Sequence, residues 1–152
     1  MANGISKSAI AALMITAVAA CTDPVPEERT GFLVKAGTME GARPGVDRLK
    51  ETMTVTMDPG RRPGWCFLVD PPNDHTYEVY SVTHLPAQPE RLTGDFVSQS
   101  NASAGLTSAT ARADGIRPFC FDFDSGDPVG EYRVEVFING ARHTELRMQV
   151  VQ

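Results

Sequence analysis

The last part of the chain alternates with a period of two. In EYRVEVFI, Tyr132, Val134, Val136 and Ile138 fall on one side, with Arg133 and Glu135 on the other; in TELRMQVV, Leu146, Met148 and Val150 alternate with Glu145, Arg147 and Gln149. Successive side chains of a strand point to opposite faces, so these stretches read as half-buried strands of an antiparallel sheet. LKETMTVTM follows the same rule, with Met53, Val55 and Met57 against Thr52, Thr54 and Thr56, and stops at Asp58-Pro59-Gly60. Residues 64–69, 76–85 and 117–124 supply further strands, and 31–38 and 91–98 two more. No stretch after residue 30 holds a helical repeat for more than two turns. A chain of 152 residues has material for one core. The expectation is an all-β, antiparallel sandwich of about seven to eight strands over residues 31–152.

Local signals then set the turns. Asn139-Gly140 suits a two-residue hairpin, but that turn would oppose Val136 to His143 and Val134 to Glu145, core positions to polar ones. A three-residue loop over Ile138, Asn139 and Gly140, with Gly140 left-handed, keeps both apolar faces inward and is the predicted form. Asp127-Pro128-Val129-Gly130 has the residues of a type I turn. Residues 101–114 are small and polar, and read as a loop or a poorly packed edge.

Cys66 and Cys120 lie in strands of matching pattern, GWCFLV and PFCFDFD. Trp65, Phe67 and Val69 share a face that excludes Cys66, and Phe119, Phe121 and Phe123 share a face that excludes Cys120. With the aromatics in the core, both sulfurs point to the other side of their sheet. This predicts a disulfide between neighbouring antiparallel strands, in contrast to the antibody bridge that runs through the core. It reads as a structural staple, since no C-x-x-C marks a redox pair.

The chemistry-bearing residues are few. DFDSGD brings Asp122, Asp124 and Asp127 close together and suggests calcium, although Gly126 precedes the third acid and Arg133 stands where an EF-hand has its closing glutamate. His75, His84 and His143 hold no metal-ligand spacing. No G-x-S-x-G, phosphate-binding glycine loop or Cys-His pair is present, so no catalytic residues are assigned and no cofactor is expected. HLPAQPERL, with His84, Pro86, Pro89 and Arg91, is the preferred recognition loop.

The first twenty residues stand apart. Met1 to Ser8 carries one charge, Lys7, and an acid-free, alanine-rich run follows to Ala20. That is a signal peptide's arrangement, and the apolar run rises only about 18 Å as a helix, too little to span a bilayer. V-A-A-C at residues 18–21 resembles the bacterial lipobox, whose cysteine is lipidated before cleavage, so Cys21 is the expected acyl anchor. Lipidation also accounts for the third cysteine, an odd thiol in an oxidising compartment. Bacterial lipoproteins retained in the inner membrane carry an Asp after that cysteine; Thr22 stands there instead, so the resemblance implies outer-membrane delivery. Residues 22–30, TDPVPEERT, are too polar to pack and read as a tether. The domain division is therefore signal 1–20, anchor and tether 21–30, sandwich 31–152. Cleavage removes Lys7 and no acid, taking the formal charge from −5 to −6. That leaves nothing basic enough to hold nucleic acid.

Several pieces together, Gly31-Phe32, PGWCFLV at 63–69, HLPAQP at 84–89 and FCFDF with GEYRVEVFING and MQVV at the end, resemble a bacterial family of small exported immunoglobulin-like domains that mostly lack an assigned function. The resemblance implies an immunoglobulin-like sandwich and carries no site residues. The expected function is that of a lipid-anchored, non-catalytic binding or scaffolding module. It would face the periplasm from the outer membrane and engage an envelope protein through loops or a sheet edge. A calcium-dependent interaction module and a small carboxylate-based hydrolase are the alternatives.

Overall fold

The computed structural model describes residues 31–40, 48–61, 63–73, 75–91, 96–98 and 105–152. The signal, Cys21 and the tether lie outside the described residues. The described chain forms eleven strands: β1 (Leu33–Met39), β2 (Leu49–Glu51), β3 (Thr54–Thr56), β4 (Trp65–Asp70), β5 (Tyr77–His84), β6 (Phe96–Ser98), β7 (Leu106–Ser108), β8 (Ala111–Ala113), β9 (Arg117–Phe121), β10 (Gly130–Ile138) and β11 (Ala141–Val151). One sheet has the order β2-β1-β4-β9 and the other β3-β11-β10-β5-β7-β6, with β8 also paired to β5. The pairs are antiparallel except for β3 with β11.

The aromatic faces read from the sequence meet between the sheets. Trp65, Phe67 and Val69 are buried with Tyr77, Val79, Val134, Val136 and Val150, and Phe119 and Phe121 pack against them. Each large side chain buried there stabilises the fold by roughly 1.5–3 kcal/mol relative to exposure. The Trp65 indole N–H donates to the Thr52 carbonyl at 3.3 Å, and the Tyr77 hydroxyl, shared between the Val69 and Gly115 carbonyls, is likewise satisfied. Burial pushes the Tyr77 hydroxyl above its usual pKa.

Cys66 and Cys120 are register partners on β4 and β9, with Cα atoms 4.0 Å apart, and form a disulfide. Cys66 is fully buried in a second apolar cluster with Met39 and Leu68. The staple thus joins adjacent strands on the far side of the sheet from the aromatic core, as the alternation requires.

Three local expectations change. LKETMTVTM is not one strand: β2 pairs with β1 in one sheet, β3 pairs with β11 in the other, and the chain crosses between layers at Thr52-Met53. Thr52 makes the bend, its hydroxyl donating to the Thr54 carbonyl and accepting from the Thr54 N–H, so Met53 is 40% exposed instead of sharing the core with Val55. At the final hairpin, Asn139 (φ 51°) and Gly140 (φ 79°) are both left-handed and Ile138 pairs with Ala141, the two-residue turn. Parity is restored further along by a bulge, Phe137 pairing with Arg142 but Val136 with Thr144. Core residues still oppose core residues from Val134 and Leu146 onward. Lastly, the turn predicted at 127–130 forms three residues earlier, the Asp127 N–H donating to the Asp124 carbonyl at 3.0 Å, and Gly130 already belongs to β10. The weak 101–114 region contributes two paired strands, and Leu106 and Ala113 are each only 1% exposed.

Two poles follow from the register. Leu33 pairs with Asp70, Gly31 abuts Pro72, and Phe32 meets Tyr77 edge-on at 5.3 Å, so the chain enters the domain where β4 ends and β5 begins. The opposite pole gathers the end of β5, the end of β9 and the start of β10.

Candidate functional site

That opposite pole holds the two segments singled out in the sequence. Leaving β5, residues 85–91 fold against the turn at 122–127: the Glu90 N–H donates to the Gly126 carbonyl at 3.1 Å, and a Cβ at Gly126 would sit 2.8 Å from Glu90 Cβ. Pro86 presses on Gly130, where a Cβ would lie 2.8 Å away. The Asp turn is closed on itself, the Asp124 N–H donating to Asp127 Oδ2 at 2.8 Å. Just beyond, the Tyr132 hydroxyl donates to the Pro128 carbonyl at 2.8 Å. This is the tyrosine-corner arrangement of immunoglobulin-like sandwiches, and it fixes the approach to β10.

Between these braced segments the sandwich opens. A slot of about 60 Å³ runs into the core end, walled by Leu85, Leu106, Phe121, Phe123, Val134 and Met148, with Thr83 and Tyr132 also on its lining. Its mouth, at Pro89, Arg91, Asp122 and Asp127, continues into a polar groove of about 360 Å³ lined by Glu90, Arg91, Asp124, Ser125, Gly126 and Asp127. Slot and groove share Arg91 and Asp127 and form one cleft.

The recognition-loop residues divide within this geometry. Pro89 is buried and lines the slot, and Arg91 stands exposed at the mouth. Pro86 serves as a brace, whereas His84 turns to the outer face of its sheet, Nε2 lying 3.2 Å from Glu135 Oε2. The three calcium candidates reach the cleft, but among the described residues no three His, Cys, Asp or Glu side chains are grouped to hold a metal ion. Asp127 uses one oxygen to cap its own turn.

Thr83 was not singled out by sequence reasoning. It is 4% exposed, and its Oγ1 has no hydrogen-bond partner among the described residues. A buried polar atom left unsatisfied costs about 1–3 kcal/mol. The period-two pattern Tyr77, Val79, Ser81, Thr83 did point it inward; what the pattern lacks is that its neighbours are apolar.

Among the described residues, the outer face of the larger sheet is another concentration of charge. Arg133 opposes Arg147 and Glu135 opposes Glu145, which would repel as direct cross-strand pairs. Contacts along β11 and diagonally across to β10 resolve this: Arg142 lies 2.8 Å from Glu145 and 3.1 Å from Glu135, and Arg147 reaches Glu145 at 3.0 Å and Glu131 at 3.4 Å. Such a face meets its own electrostatic needs, so the cleft is the stronger candidate.

Burial raises the Asp127 carboxyl above the usual aspartate range; the Asp124 N–H bond opposes this and the Asp124 charge adds to it. Burial, and then the Asp127 charge, also hold the Tyr132 hydroxyl protonated well above its ordinary range. A carboxyl with a raised folded-state pKa binds protons more tightly folded than unfolded, so stability is lost as pH rises from about 4 through that folded value. Urea midpoints followed against pH should therefore fall less, or rise more, over that interval in Asp127→Asn than in the wild type. Parallel profiles would remove the burial account.

A family model described as PM0630 beta sandwich domain matches residues 34–151, which contains both sheets but for the first residue of β1. The chain belongs to the PM0630 beta sandwich domain family. No curated protein matches it. Among solved structures, the Pseudomonas fluorescens alkylpurine DNA glycosylase AlkC, bound to DNA containing an abasic site analog, is similar at 12% identity and a TM-score of 0.32. The match covers 66% of this chain and 28% of that one, so the chain spans little more than a quarter of the glycosylase's length.

Proposed function

We propose that this PM0630-family domain is a non-catalytic binding or scaffolding module of the bacterial envelope. It is held to the outer membrane by acyl chains on Cys21 and meets an envelope partner at the cleft pole. The observation that carries the reading is polar geometry. The described chain enters at the Leu33–Asp70 end, and the cleft lies at the other, so a domain anchored through its N-terminal side presents the cleft away from the bilayer. Two braced loops around a concavity on a rigid sandwich are what this architecture offers a partner.

The test is site-specific photocrosslinking in cells. A crosslinking side chain at Gln88 or Ser125, both exposed beside the cleft, should capture a discrete envelope protein, and one at Asn139, exposed on the far hairpin, should not. Capture at Asn139 alone would place the working surface at the wrong pole and end this reading.

A further inference from the structure

We propose that the slot and its acidic mouth form one binding site for a primary ammonium carried on a short aliphatic stem, whose far end hydrogen-bonds Thr83 Oγ1. This rests on the reading of the cleft as the domain's binding face, and names its ligand chemistry.

Three features fix that chemistry. First, Thr83 is more than nine-tenths buried, lines the slot, and its hydroxyl lacks a partner among the described residues. A hydroxyl both donates and accepts, so a ligand hydroxyl, carbonyl or amide satisfies it. Second, the walls between Thr83 and the mouth are Leu85, Leu106, Phe121, Phe123, Val134 and Met148, so what spans the slot is hydrocarbon. A water needs about 10–15 Å³ of such space, so 60 Å³ admits roughly four or five nonhydrogen atoms. Third, among the described residues the rim carries the carboxylates of Glu90 and Asp127, with Asp122 and Asp124 beside them, and the guanidinium of Arg91, an acidic excess that favours a cation.

The cation belongs at the mouth and not at the floor. An ammonium beside Thr83 would be stripped of water with a single neutral partner, a far worse exchange than a place among carboxylates open to solvent. A metal ion would leave the apolar slot unused, and the described acids are not grouped for one. A free amine and a peptide N-terminus share the required chemistry, the latter with a first side chain that ends in an amide or hydroxyl lying in the slot and its backbone along the groove.

The experiment is a titration of the nitrogen-labelled full-length chain in detergent, read by amide resonances. The probes are the four-carbon amino alcohol aminobutanol, butylamine, butanediol, the tripeptide Gln-Gly-Gly, whose side-chain amide lies at the same distance from its ammonium, and its N-acetylated form. Aminobutanol should saturate and bind about fivefold more tightly than butylamine, the worth of one neutral hydrogen bond. Butanediol and the acetylated peptide should bind more weakly than their amine counterparts. Thr83→Val, which keeps the shape and removes the orphaned hydroxyl, should fold with an equal or higher Tm and erase the preference for aminobutanol over butylamine. Asp127→Asn should weaken both amines. Tighter binding of Gln-Gly-Gly than of aminobutanol supports the site and assigns it to peptide N-termini; the reverse order supports it and assigns it to free amines. Absence of saturable shifts with any amine, equal binding of butanediol, or an unchanged preference in Thr83→Val overturns the proposal. So does saturation by calcium ion alone with no response to amines. Crosslinks from Gln88 that persist in that event leave the partner reading standing while this one falls.

Discussion

Replacing Cys66 by serine should lower the midpoint of thermal unfolding by about 15 °C, the two-state shift expected for a loss of about 4 kcal/mol in a domain of this size. The bridged residues are 54 apart in sequence, and opening a loop of that length returns the corresponding chain entropy to the unfolded state. Against a total stability of about 5–15 kcal/mol this is a large fraction. The two cysteines are also unequal. Cys66 is fully buried beside Met39 and Leu68, whereas the Cys120 residue is exposed. Serine at 66 therefore places a hydroxyl among apolar groups, while Cys120→Ser leaves a thiol that is content in an apolar site. Both variants lose the bridge, and Cys66→Ser should melt below Cys120→Ser. Equal melting of all three proteins would show that the bridge contributes nothing and that the cluster around Cys66 tolerates polarity.

What could be read from the sequence, and what could not, separates along the range of the interaction. The disulfide was legible because two residues on the wrong side of aromatic faces can only meet outside the core, a property of each strand's own alternation. The pairing of β10 with β11 was legible for the same reason. The parity correction was required, but nothing local says where along the hairpin it falls, and the chain placed it at the bulge near His143 instead of in the turn. The crossing at Thr52-Met53 was hidden because alternation runs unbroken through it; which sheet accepts β3 depends on β11, almost a hundred residues later. The site behaves likewise. Pro89, Arg91 and Asp127 stood out by residue type, but their convergence rests on the contact of Glu90 with Gly126 across more than thirty residues. Thr83 and the Tyr132 corner are ordinary strand residues until their surroundings are known.

On the proposed envelope reading, Cys21→Ser should have the complementary effect to Cys66→Ser. The mutant should leave the outer-membrane fraction almost wholly, as released protein or as uncut precursor that keeps residues 1–20, since loss of the cysteine removes every acyl chain, lipidation precedes cleavage, and a polar tether has no affinity of its own. Its domain should melt within about 1 °C of the wild type, because residues before Gly31 are not expected to pack. Retention in washed outer membranes would sink the anchor. The geometry adds a second consequence. A tether of nine residues reaches at most about 30 Å, and the eleven residues of β11 run about 35 Å between poles. An anchored domain can thus hold its cleft about 35–65 Å from the bilayer surface, within reach of a partner standing off the membrane. If Cys21→Ser protein still crosslinks from Gln88 when mixed with envelope extract but no longer does so in cells, the anchor acts by confining the cleft to that layer. If crosslinking in cells is unaffected by release, the cleft finds its partner by affinity alone and the lipid serves another purpose.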